Sequence, residues 1–195
     1  MAVATILWRR LETPGHDACR LTPVATGWQL SGTGVFILDG RPAHLSYQLD
    51  CDAAWRTRAG AIRGWIGADP VDIRVELGED GVWTQNGVAQ AHLEGYVDLD
   101  LGFTPATNLS QIRRIALDVG QGADVTVAWL DLPAATLERL DQRYERRSAT
   151  SYWYESPQFA YAAMLETGPA GFIHRYPELW EVEAFSADGP LSEAG

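Results

Sequence analysis

The chain has 195 residues, with 15 basic and 26 acidic side chains and a formal net charge of −11; every basic residue is arginine, and lysine is absent. That length fits one large domain or two small ones with a substantial core, and the lack of lysine excludes Schiff-base catalysis and a Walker-A phosphate loop. The acidic excess repels nucleic-acid backbones and anionic membrane surfaces, so no nucleic acid is expected as a partner.

The opening Met1–Arg10 segment has no positive residue ahead of its short apolar run, which puts the charges on the wrong side for a secretory signal. No apolar stretch approaches the ~18 residues of a membrane span. A cytoplasmic protein without a membrane span is the expectation.

From the N-terminus onward, apolar and polar residues alternate. Strands are expected at Ala4–Arg9, Ala18–Leu21, Gly27–Ser31, Val35–Leu38, His44–Leu49 and Arg56–Ile66. In Val71–Leu77 every second residue is apolar, the pattern of a strand with one face on a core and one in water. Short strands follow at Val82–Gln85 and Val88–Ala91, joined by Asn86-Gly87, whose residues suit the positive φ of a type I′ hairpin. Val97–Leu101 alternates again, as do Val125, Val127 and Trp129, and further strands are expected at Tyr152–Glu155, Ala160–Leu165 and Gly171–Tyr176. Asp39-Gly40, Asp80-Gly81 and Gly168-Pro169 mark turns. Many short strands punctuated by glycine and proline favour an all-β roll, barrel or sandwich.

Two stretches carry a helical pattern. Pro105 to Leu117 offers Thr107, Asn108 and Ser110 as caps, with Leu109 and Ile112 on one face. In Leu137–Tyr144 apolar residues recur at i, i+3 and i+7, yet Leu140, Gln142, Tyr144 and Arg146 also alternate, so helix and strand compete there. A faint repeat relates Leu38–Tyr47 to Leu165–Tyr176, consistent with an internal duplication. The expected organisation is a single domain over 1–185, with a frayed tail over 186–195.

Catalytic signatures are sparse. No serine lies in a G-x-S-x-G context, and His16, His44, His92 and His174 stand apart without metal-ligand spacing, so neither metal nor cofactor is expected. Cys19 and Cys51 read as two small buried thiols, with one disulfide as the alternative. Asp98 and Asp100 share one side of a strand; paired carboxylates suit acid/base work or a cation, but a solvated strand face is the simpler expectation. Gly32-Thr33-Gly34 lacks the third glycine of a dinucleotide loop and runs into a strand. Arginines interleave with aromatics throughout, and pairs at i, i+2 such as Arg63 with Trp65 or Tyr144 with Arg146 share a face suited to cation–π contact. Such faces hold a sugar ring by stacking while an arginine takes a phosphate or hydroxyl.

The string Gly102-Phe-Thr-Pro-Ala-Thr-Asn108, with Arg113-Arg114, Gln142-x-Tyr144-x-Arg146, Tyr152-x-Tyr154-x-Ser156, Tyr176-Pro177-x-Leu179-Trp180 and Trp55-x-Thr57-Arg58, resembles the bacterial putative glycolipid-binding family, formerly a domain of unknown function. The resemblance runs from about Trp8 to Trp180 and departs from the family pattern at Gln111, where proline is common, and at Glu178, where glycine is. It implies a mainly β fold, a spiral β-roll in which one long, mostly antiparallel sheet wraps a single α-helix, and a homodimer. The helix is then the one following Pro105, and 137–147 is a strand. The resemblance also implies a non-enzymatic protein that binds an amphiphilic small molecule such as a glycolipid. Asn108, Arg113, Arg114, Gln142, Tyr144 and Arg146 match motif positions and are the candidate ligand-binding residues, with Tyr152, Tyr176 and Trp180 as walls. Because a helix already fills the roll, a surface cleft is expected in place of a deep channel. Two other classes stay open: a carbohydrate hydrolase or isomerase using Asp98 or Asp100 with His92, and a dimeric scaffold built on exposed aromatics.

Overall fold

In β1 (Ala4–Arg10) the side chains of Ala4, Ile6 and Trp8 are buried and those between them turn outward, so one face of the strand belongs to a core. The same parity recurs in β2 (Gly15–Val24), β3 (Gly27–Leu38) and β4 (Arg41–Asp52), where Ala43, Leu45, Tyr47, Leu49 and Cys51 all point inward. A computed structural model describes residues 4–188. The first half continues through β5 (Thr57–Ile66), β6 (Asp69–Leu77), β7 (Trp83–Gln85) and β8 (Val88–Gln90). The second comprises β9 (Leu99–Leu101), helix α1 (Asn108–Ile115), β10 (Gly122–Asp131), β11 (Thr136–Ser148), β12 (Ser151–Ser156), β13 (Tyr161–Thr167), β14 (Ile173–Tyr176) and β15 (Trp180–Ala187).

All the strands form one 15-stranded sheet in the order β8-β7-β6-β5-β4-β3-β2-β1-β15-β14-β13-β12-β11-β10-β9. The first and last strands are therefore neighbours, with two meanders running outward from the β1/β15 seam. Every pairing is antiparallel except β9 with β10. Parallel neighbours need a crossover, and that crossover carries α1, the single α-helix among the described residues.

The sheet curls back on itself. Thr57 N, at the start of β5, donates to Val97 O at 3.0 Å, and Leu99 N donates to Thr57 Oγ1 at 3.3 Å, so the β9 edge returns against the first meander. Gln85 Nε2 reaches Ala135 O at 2.6 Å across the same gap. Within the curl, α1 packs Leu109 and Ile112 into a continuous core, sends Asn108 to β11 and places Arg113 over the Trp55 ring.

Several expectations resolve here. The 137–147 stretch is strand: β11 pairs with β10 from Thr136 to Glu145 and with β12 from Arg143 onward, and ladder bonds outweigh the local helical pattern. The segments 27–31 and 35–38 are one strand, with Gly32-Thr33-Gly34 in its middle. A Cβ on Gly32 would lie 2.4 Å from the ring of its cross-strand partner Tyr47, so the glycine is there to let an aromatic lie flat on the strand. Strand β15 had no expectation of its own. Its last residues, Ser186 and Ala187, pair with Thr5 and Ala4, while 189–195 of the expected tail lie outside the described residues.

Asp98 and Asp100 do not form a solvated face: both are buried, because the helix side of β9 is covered as fully as its sheet side. None of Thr107, Asn108 or Ser110 caps the helical segment through its side chain; Thr104 does, accepting from Ala106 N at 3.1 Å one turn earlier, ahead of Pro105. Cys19 and Cys51 are free thiols, both buried, and burial pushes Cys51 up to about 12. The expected same-strand cation–π pairs are replaced by contacts between elements: Arg146 with its cross-strand partner Tyr152, Arg10 with Phe36 and Trp180, and Arg113 with Trp55.

Candidate functional site

The segment after β9 builds the site residue by residue. Thr104, besides capping, donates its hydroxyl to the buried carboxyl of Asp17, which also accepts from Tyr47 at 2.8 Å. Ala106 is fully buried, and Thr107 donates to Asp100 Oδ1 at 3.1 Å while accepting from Leu101 N at 3.3 Å. Asn108 Nδ2 donates to Tyr144 Oη at 2.8 Å. A Cβ on Gly102 would stand 2.5 Å from the indole Nε1 of Trp129, so this glycine lets the indole approach the backbone.

Around Asp100 and Tyr144 the polar groups form a closed network inside an otherwise apolar core. Gln142 Nε2 donates to Asp100 Oδ2 at 2.6 Å and Gln111 Nε2 does so at 3.4 Å, while Tyr144 Oη donates to Gln111 Oε1 at 2.6 Å. Burial raises Asp100, the three donors pull it back, and Asp98 raises it further. Tyr144 rises well above the usual phenol range for the same reason of burial, so its hydroxyl stays neutral. Such a network is stable only when complete, because each lost partner leaves a buried group unsatisfied.

The network's outer edge forms the floor of an open cleft of about 430 Å³. Asp100, Thr104 and Asn108 supply the floor, and Tyr154, Tyr161, Tyr176 and Trp180 the aromatic wall. The three tyrosines pack with ring centroids 5.7–6.3 Å apart. Leu132, Leu179, Trp129 and the half-exposed Phe159 make an apolar lip, with Phe159 set edge-on to Trp129 at 5.3 Å. Arg10 and Glu12 stand on the rim, joined by a 3.2 Å ion pair. Burial pushes Tyr161 up to about 12 and raises Tyr154 and Tyr176 as well, so all three phenols are neutral donors at physiological pH.

The nine candidate residues divide. Asn108, Tyr176 and Trp180 line the cleft, and Gln142 and Tyr144 lie behind its floor. The other four lie elsewhere. Arg114 grips the buried Asp98 through Nε at 2.8 Å and Nη2 at 2.6 Å. Arg113 donates to Ala170 O at 2.8 Å; Arg146 binds the carbonyls of Leu117, Ser148 and Ala149 and covers Tyr152. Sequence reasoning named Asp100 only for acid/base work or a cation, and did not select Arg10, Thr104, Tyr154 or Tyr161 for the site. Tyr154 had a usable signal, since it stands in the Tyr152-x-Tyr154-x-Ser156 string.

Among the described residues no histidine lines this cleft: His92 bonds Leu137 O at 3.0 Å and His16 pairs with Glu183 at 3.1 Å. Among the described residues no group of histidine, cysteine and carboxylate side chains is placed to hold a metal, and no helix is long and apolar enough to cross a membrane.

The model of a family described as putative glycolipid-binding matches residues 5–182. No curated protein sequence matches the chain. Among solved structures, a DUF1089 family protein from Pseudomonas aeruginosa is similar with a TM-score of 0.76 and 26% identity, over 86% of this chain and 91% of that one. A β-barrel-like protein of the domain of unknown function DUF1849 from Brucella abortus shares the fold, with a TM-score of 0.56 and 10% identity over 96% of this chain and 98% of that one.

Proposed function

The chain belongs to the putative glycolipid-binding family, and on that footing we propose that its cleft holds one amphiphilic molecule without transforming it. The observation that carries this reading is the division of the cleft into a buried hydrogen-bonding floor, an aromatic wall and an apolar lip. Asp100 and Asn108 offer an acceptor and an amide to sugar hydroxyls. The wall of tyrosines and Trp180 offers ring faces for the apolar side of a pyranose. An alkyl chain leaving the sugar lies along Leu132, Leu179 and Phe159, gaining about 0.8 kcal/mol for each methylene it buries. A volume of about 430 Å³ falls within the range of small-molecule sites.

A binding role fits the chemistry better than catalysis. Both Asp100 oxygens already accept from protein donors, the phenols are neutral, and no histidine stands by to move a proton. The hydrolase alternative needs a histidine and two carboxylates converging in the cleft; Asp98 is instead spent on Arg114 and His92 on a backbone carbonyl. We read the protein further as cytoplasmic and homodimeric. The outward row of Val35, His44 and Trp65 across β3, β4 and β5 supports a subunit contact, since Val35 and Trp65 are exposed apolar neighbours of His44. Sedimentation of the protein and of Trp65→Glu tests it: a dimer that dissociates in the variant is expected, and a monomer in both contradicts it.

Calorimetric titration with octyl glucoside below its micelle concentration tests the binding role, with glucose and octanol as controls. The expected result is one site per chain, bound more tightly than either fragment and weakened in Phe159→Ser. Equal binding of octanol and octyl glucoside, or no binding, overturns it.

A further inference from the structure

The rim cation of the cleft is incompletely satisfied. Among the described residues Arg10 is the one basic residue lining it, and its guanidinium lies over the rings of Phe36, at 5.3 Å, and Trp180, at 5.7 Å. Trp180 is also its cross-strand partner in β15, so sheet register fixes the arginine in place. Of its nitrogens only Nη2 meets an acceptor, Glu12 at 3.2 Å; Nε and Nη1 are buried with no hydrogen-bond partner. Buried donors without acceptors are uncommon and costly, and a guanidinium set against two aromatic rings is held in place for an anion.

Glu12 is a weak occupant. Its side chain is 50% exposed, whereas that of Arg10 is 15% exposed, so the carboxylate leaves for water at little cost while the arginine stays. An incoming oxyanion that displaces Glu12 from Nη2 finds Nε on one side and Nη1 on the other, each able to complete a two-point contact of the kind phosphate and carboxylate groups prefer. The remaining charged side chain of the lining, Asp100, already accepts from Thr107 and Gln142 and disfavours a second anion at the floor, which directs the oxyanion to the rim.

We infer that the cleft selects an acidic amphiphile, one whose head group carries a phosphate or carboxylate, with Arg10 as the anion-holding residue and Glu12 as the group the ligand's anion replaces. The inference rests on the cleft being the amphiphile site proposed above. In a chain of net charge −11, an arginine at this rim counters the field that otherwise repels such a ligand.

The test compares octyl glucoside, its 6-phosphate and inorganic phosphate on the wild type, Arg10→Gln and Glu12→Gln. The wild type is expected to prefer the phosphorylated glycoside by about tenfold or more, a preference reduced by salt. The ratio of the two glycoside affinities falls toward one in Arg10→Gln and rises in Glu12→Gln, a half-exposed substitution that leaves the core untouched. If octyl glucoside binds and the ratio is near one in all three proteins, this inference is overturned while the binding role stands. If inorganic phosphate alone accounts for the affinity of the phosphorylated glycoside, the site is an anion site and not a lipid head-group site. If no glycoside binds the wild type, both readings fall. Should Arg10→Gln fail to fold, the rise in Glu12→Gln decides, and its absence counts against the proposal.

Discussion

Asn108 Nδ2 donates to Tyr144 Oη at 2.8 Å, and of the two residues only Asn108 reaches the cleft. The helix that fills the roll is thereby tied to β11 at the point where the binding floor begins. Tyr144 donates in turn to Gln111 Oε1 at 2.6 Å, so one phenol holds two residues of the same helix. Stability and site geometry share this hydroxyl.

Removing it separates the two roles. Tyr144→Phe keeps the ring and leaves the Asn108 amide and the Gln111 carbonyl short of a partner in a dry environment, at a cost of about 1–3 kcal/mol. Urea unfolding is expected to show a lower midpoint with an unchanged slope. An unchanged midpoint contradicts the network as described.

The Asp98–Arg114 pair is structural. Asp98 is fully buried and both its oxygens accept from Arg114. Arg114→Leu leaves a buried carboxylate without its cation and is expected to cost about 3–5 kcal/mol, most of which returns when Asp98→Asn is added. A double-mutant cycle in urea measures the recovery, and simple additivity of the two losses contradicts the assignment.

Asp17 gives the fold a pH dependence of defined sign. Burial raises its carboxyl from 3.8 to about 6, against the pull of Thr104 and Tyr47. The folded chain thus holds this proton more tightly than the unfolded one. Its contribution to stability is greatest at acid pH, declines as pH rises from about 4 to 6, and is flat above. Asp17→Asn is expected to remove the decline and to gain of order 2–3 kcal/mol relative to wild type at pH 7. Chemical denaturation of both proteins across pH 4 to 8, as a difference, checks it; a difference that does not change with pH contradicts it.

Glu178 occupies the turn between β14 and β15 with φ of 66°, a left-handed conformation that costs a residue bearing a Cβ and suits glycine. This is the position where the family resemblance leads one to expect glycine. Glu178→Gly is expected to raise stability by about 0.5–1 kcal/mol, seen as a higher melting temperature. A lower one shows that the carboxylate has a compensating partner.

Most of the sheet was legible because alternation and turn chemistry are local. The helix competing at 137–144 was also a correct reading of burial: Leu137, Leu140 and Tyr144 are all buried. A strand meets that pattern because both of its faces are covered in part: Leu137 on one parity and Leu140 and Tyr144 on the other are all in the core. Periodicity reports which residues are buried and not which element buries them. Asp98 and Asp100 misled for a related reason, since alternation reads as a wet face only if nothing packs on it. The clearest unused signal was a polar residue in an inward register, Asp17 ahead of Cys19 and Leu21; Gln142, selected through the family resemblance, stands the same way between Leu140 and Tyr144. Arg10 gave no local signal, because Phe36 and Trp180 come to it only when the first and last strands pair.

Native mass spectrometry of the protein exposed to a total bacterial lipid extract tests the central claim most directly, run beside Phe159→Glu, which places a charge on the apolar lip. The account predicts one amphiphile mass per chain on the wild type, retained on gentle activation and lost from the variant. A wild type that carries no adduct, or adducts equally abundant on both proteins, contradicts it.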